Sequence, residues 1–176
     1  MNLLLVLIIA ISLSMDAFSL CLAYGTLSLS KKEINLLSII VGIYHFIMPL
    51  LGVYFGNKIL SILPIDSKLI TFVVLLMIGI EMIIDTIKDK NEIKKLKYLE
   101  MLGFGLAVSI DAFSVGVGLK QIYNNYLLAS LIFSITSMIF TYLGLLLGRK
   151  ISKIIGRLST LLGGVILIVI SIAYII

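Results

Sequence analysis

Six runs of about twenty apolar residues, parted by short polar breaks, constrain this chain more than any single residue does. A bilayer-spanning helix needs about 20 apolar residues. Inside lipid its backbone N–H and C=O groups must be satisfied within the segment itself. The runs fall at residues 2–24, 34–57, 68–87, 101–120, 126–148 and 154–176. Of the 176 residues, 61% are hydrophobic and 13% charged. Soluble domains are roughly 45–50% apolar and 25% charged. The sequence therefore predicts an all-α integral membrane protein with six transmembrane helices and the lipid bilayer as its surroundings. The first run has no Lys or Arg ahead of it and continues past Asp16 to about Tyr24. It reads as a spanning helix and not as a cleaved signal.

The basic residues set the orientation. Loops after the first, third and fifth runs hold eleven Lys and Arg, and the opposite side holds three, Lys58, Lys68 and Lys120. Cytoplasmic loops carry the basic excess, so both termini are expected outside. The net charge of +5 is spread over these loops, which leaves no basic face for nucleic acid. Cys21 is the sole cysteine, so no disulfide forms within the chain and no multi-cysteine metal site exists.

The longest polar break, residues 88–100, divides the chain into 1–87 and 101–176. The halves repeat one another. SLSMDAFSLCLAYG, with Asp16, matches AVSIDAFSVGVGLK, with Asp111, at an offset of 95. An offset of 92 lays the second run on the fifth. There Ser38, Gly42, His45, Pro49, Gly52 and Gly56 share the spacing of Ser130, Ser134, Ser137, Thr141, Gly144 and Gly148. Each set lines one helix face. Both stripes end in Gly-x-x-x-Gly, which lets helices approach closely within a chain or across a homodimer. Three helices per half is an odd number, so the second half is expected to be inverted relative to the first. Inverted repeats are a common plan of secondary transporters, with the site at the midplane.

Asp16 and Asp111 are the leading site candidates. A charged Asp at the centre of a membrane helix costs about 2.5–3.5 kcal/mol, and this chain carries that cost twice. Ser12 and Ser19 flank Asp16, and Ser114 flanks Asp111, on faces expected to point into the bundle. Two carboxylates offer hard oxygen ligands and cancel a divalent charge; such sites suit Mg, Ca and Mn. The alternative is a protonated or serine-bonded pair that only joins helices. His45, the single histidine, is a further candidate ligand or proton carrier, or an imidazole bonded to a neighbouring helix. Glu81 and Asp85 share a face at i, i+4 and could form an entry or release site. Pro49 frees a backbone carbonyl that could meet an ion, or it simply kinks the helix for packing.

The sequence contains no G-x-x-x-x-G-K-[ST] loop, no nucleophile elbow and no H-E-x-x-H. It reads as a transporter without an ATP engine and not as an enzyme. The settings that intramembrane aspartyl proteases favour are also missing. A carrier of another small cation or a zwitterion, and a membrane scaffold, are the alternatives.

The segments M-D-A-F-S, I-D-A-F-S-V-G-V-G, M-P-L-L-G-V-Y-F-G and L-L-G-G-V-I-L-I resemble the manganese efflux pumps of the MntP type. The resemblance covers essentially the whole chain. It implies a bacterial inner-membrane exporter of Mn(II), with Asp16 and Asp111 as the motif aspartates. Mn(II) would be the transported substrate, with no tightly bound cofactor and protons as counter-ion. The chain departs from the pattern at three places. His45 stands where Glu or Gln is expected, Glu81 where a basic residue is expected, and Asp85 where Glu is usual.

Overall fold

The structure, a computed structural model, describes residues 3–27, 29–62, 72–73, 76–77, 79–80, 83–84, 87, 97–122, 124–155 and 157–175. Every element among them is helical. Helix α1 spans Leu3–Tyr24 and tightens into a 3-10 turn at Gly25–Leu27. Next come α2 (Lys31–Ile62), α3 (Tyr98–Ile122), α4 (Tyr126–Ile155) and α5 (Arg157–Ile175). Leu3–Leu27, Lys31–Phe55, Tyr98–Leu119 and Tyr126–Ser152 are long and apolar enough to cross a membrane, and Leu161–Ala173 is a shorter apolar helix. These correspond to the first, second, fourth, fifth and sixth predicted runs. Of the third run, 68–87, only the residues given above are described, and they are helical. Most of the 88–100 divider lies outside the described residues.

Local chemistry fixes where the helices start. Ser30 and Glu33 form a reciprocal cap on α2. The Ser30 N–H donates to Glu33 Oε2 at 2.7 Å, and the Glu33 N–H donates to Ser30 Oγ at 3.3 Å. This is a capping box, which satisfies two of the donors a helix leaves open at its N-terminus. Asn125 caps α4 by accepting from the Leu128 N–H at 3.1 Å. Glu100 Oε2 accepts from the Lys97 N–H at 3.2 Å at the start of α3. Glu33, next to the basic pair Lys31 and Lys32, thus serves as a helix cap.

The extensive interfaces are α1 with α4, α2 with α3, and α2 with α4, whereas α1 and α3 touch lightly. Glycines set the closest approaches. A Cβ at Gly144 would lie 2.7 Å from the Phe18 carbonyl oxygen, and one at Gly148 would overlap the Leu22 carbonyl. On the other pair, Gly52 lies against the Phe113 carbonyl and Gly116 against that of Pro49. Contacts advance together along both chains in each pair, so α1 runs parallel to α4, and α2 parallel to α3. The Gly-x-x-x-Gly stripe of α4 and Gly52 of α2 are therefore used within the chain. Gly79, from the third run, meets Gly164 and Ile168 of α5.

Two apolar clusters fill the bundle ends. One gathers Ala17 to Tyr24 of α1, Ile34 to Val41 of α2, Met101 to Val108 of α3, Leu145 and Leu167. The other gathers Val6 to Leu13, Val53, Ala112, Leu119, Ala129 and Phe133. The first cluster takes the C-terminal half of α1 with the N-terminal halves of α2 and α3. Thus α1 runs antiparallel to both. Between the clusters lies a polar layer at mid-height.

Candidate functional site

The polar layer falls at the same place in both halves. In α1 the first cluster ends at Ala17 and the second at Leu13; in α3 the corresponding limits are Val108 and Ala112. Asp16 and Asp111 occupy the gaps. Asp16 is exposed, as are Ser12 and Ser19 on the same helix. Ser19 Oγ is turned back to the Met15 carbonyl at 3.0 Å. Asp111 is half-buried, Ser114 is exposed, and Asp111 Oδ1 accepts from the Ala112 N–H at 2.8 Å. The two carboxylates stand at matching positions, each between the limits of the two apolar clusters. They belong to the two helices, α1 and α3, whose mutual contact is light. An Asp on the surface of the bundle at mid-height is where a membrane charges most for it.

His45 takes a different position. It is fully buried, and its Nδ1 lies 2.9 Å from Ser109 Oγ and 3.0 Å from the Val41 carbonyl oxygen. It thereby ties α2 to α3. Its Nε2 has no hydrogen-bond partner among the described residues. Pro49, buried, has no N–H to offer the His45 carbonyl one turn back; its own backbone is packed against Gly116. Among the described residues no group of three or more His, Cys, Asp or Glu side chains comes together. Asp16, Asp111 and His45 therefore do not converge on one point in this conformation. Glu81 and Asp85 lie outside the described residues.

Sequence reading passed over Ser14 and Ser109, each two residues ahead of its Asp. Ser14 Oγ is buried, donates to the Ala10 carbonyl at 2.6 Å and lies 3.1 Å from Ser137 Oγ on α4. The signal was available, because the offset of 95 that pairs the aspartates also pairs these serines. Thr141 sits beside the buried Cys21 thiol. Among the described residues, Ser130 Oγ is buried without a hydrogen-bond partner. In helices such hydroxyls usually turn back to a carbonyl, as Ser38 and Thr136 do here.

Apolar helices of spanning length, packed through glycines around a mid-height layer holding two acidic side chains, define a multi-pass membrane protein. Residues 28–175 match the family model described as "Putative manganese efflux pump", and the chain belongs to that family. Its relatives include proteins named "Putative manganese efflux pump MntP" from several organisms. The one from Bacillus pumilus is 36% identical over 166 residues, covering 92% of this chain and 88% of its own. That of Methanobrevibacter smithii is 34% identical over 171 residues, covering 95% and 93%. That of Desulforamulus reducens is 35% identical over 164 residues, covering 91% of each. No solved structure matches this chain.

Proposed function

We propose that the chain exports Mn(II) across the bacterial inner membrane as a secondary transporter, with Asp16 and Asp111 holding the ion and protons flowing the other way. One observation carries the reading. Two carboxylates from matching positions in the two halves stand at mid-height, in the gaps between the two apolar clusters, on two helices that touch only lightly. A divalent cation between them would cancel their charge and supply what the bilayer withholds. Hard oxygen donors suit Mn(II), and membership of the efflux family supports that choice of metal.

The reading takes the two halves as inverted three-helix repeats, and the contacts support it. At the sequence offsets of 95 and 92, Ser14 with Ser137 corresponds to Ser109 with His45. Gly144 against Phe18 corresponds to Gly52 against Phe113. The correspondence also exchanges the two apolar clusters: Leu13 becomes Val108, and Val41 becomes Phe133. Glu81, Asp85 and His45 Nε2 remain further groups through which the ion or its protons would pass.

Energetics require coupling. Moving a +2 ion out against an interior-negative potential costs about 4.6 kcal/mol per 100 mV. Protons that replace the metal on the carboxylates provide the simplest return step, since metal binding to carboxylates releases protons. Reconstituted protein with an imposed pH gradient tests this. Manganese flux that follows the gradient is the expected result, and flux indifferent to it would exclude proton antiport.

A further inference from the structure

We propose that α1 with α4, and α2 with α3, move as two rigid pairs, and that the stacked rings of Tyr24 and Phe104 gate one end of the seam between them. This rests on the reading that Asp16 and Asp111 hold the cation, and it alters which parts move. The obvious moving parts would be the two halves of the chain. The packing joins helices across those halves instead.

Each pair is fastened twice. Within α1/α4, the backbones meet at Gly144 and Gly148, and Ser14 lies 3.1 Å from Ser137. Within α2/α3, they meet at Gly52 and Gly116, and His45 lies 2.9 Å from Ser109. Backbone-to-backbone contact leaves no flexible side chain to absorb a sliding motion, and packed interfaces of this kind have few alternative arrangements. Between the pairs the α2/α4 interface is broad. Its glycine contact is looser than those within the pairs: a Cβ at Gly42 would lie 3.2 Å from Met138 Cβ and 3.4 Å from the Ser134 carbonyl oxygen.

The other boundary between the pairs is the light α1/α3 seam. It carries one carboxylate on each side, so the ion would bridge two bodies. At the end that holds the first apolar cluster, Tyr24 of α1 stacks on Phe104 of α3. Their centroids are 4.2 Å apart and the planes 15° apart, and both rings are buried. That end adjoins Lys31 and Lys32 at the start of α2, the cytoplasmic side by the positive-inside rule. Parting of the rings would open the seam from Asp16 and Asp111 to the cytoplasm. The matching positions at the far end are Leu119, buried, and Ile9, half-buried, in the second cluster. An apolar plug thus stands at each end, as alternating access requires.

Cross-linking tests the proposal in a Cys21→Ala background. A Tyr24→Cys/Phe104→Cys pair, joined through two disulfides by a short bis-methanethiosulfonate that fills the space of the rings, should lose manganese export and regain it on reduction. A Phe18→Cys/Phe140→Cys pair joined by the same reagent, inside one helix pair where the rings meet edge-on with centroids 6.4 Å apart, should leave export unchanged. Export that survives the 24–104 link, or that fails with the 18–140 link, overturns the proposal. Spin labels provide a readout free of any assumption about the ion. In metal-free protein in lipid nanodiscs, labels at Ile8 and Leu147 (one pair) should give one narrow distance. Labels at Ile8 and Leu102 (two pairs) should give a broad or divided distribution. A single narrow distance for both overturns the rigid pairs. If the unlinked protein carries no manganese, the manganese reading fails, and the label distances still decide how the helices move.

Discussion

Gly116 of α3 lies directly against the backbone of Pro49 on α2, with no space between them for a side chain. A Cβ there would meet the Pro49 Cα at 2.7 Å. Gly116→Ala must push the helices apart, and overpacking of this kind costs about 1–3 kcal/mol. Gly103 and Gly118 sit on the same helix with nothing among the described residues within 4 Å of an added Cβ. Thermal unfolding in detergent should show a clear loss for Gly116→Ala and none for Gly103→Ala.

The hydrogen bond between His45 and Ser109 makes a second prediction. His45→Ala leaves a buried hydroxyl without its partner, at a cost of about 1–3 kcal/mol. Ser109→Ala removes the same bond from the other side. A double-mutant cycle on unfolding should therefore give a coupling of about 0.5 kcal/mol or more, the range for residues in contact. Additive losses would show that the bond contributes nothing.

Much of this architecture can be read from the chain. The apolar runs gave five of the helices, with ends shifted by a few residues where polar caps extend them, as Ser30 and Glu33 do for α2. Pairing across the halves was not legible. A stripe such as Ser130 to Gly148 shows that some helix comes close and does not say which one. The site was legible only in part. Asp16 and Asp111 stand out because a charge inside an apolar run is expensive. Ser14 and Ser109 did not stand out, because a serine in such a run is cheap and turns back to its own helix. The expectation that both aspartate faces point into the bundle meets an exposed Asp16 and a half-buried Asp111. Hydropathy cannot distinguish a loosely closed seam from a packed interior.

The α2 cap supplies a third prediction. Ser30→Ala removes the acceptor for the Glu33 N–H and should lower stability by about 1 kcal/mol. It should leave manganese transport intact, since Ser30 is exposed and sits at the helix end. A melting curve measured beside a flux assay checks both halves of the statement.

Orientation supplies a fourth. With eleven basic residues on one side and three on the other, a reporter fused after Ile176 that is active only outside the cytoplasm should be active. The same reporter placed in the 88–97 segment should be silent. The reverse pattern would turn the proposed direction of transport around.

The paired carboxylates are the centre of the account, and the measurement that tests them most directly is cellular manganese. Manganese-stressed cells lacking their own exporter would express the wild-type chain or the Asp16→Asn/Asp111→Asn double variant at matched membrane levels. The account predicts low cell manganese with the wild type and high manganese with the variant. Equal manganese contents, whether both low or both high, would contradict it.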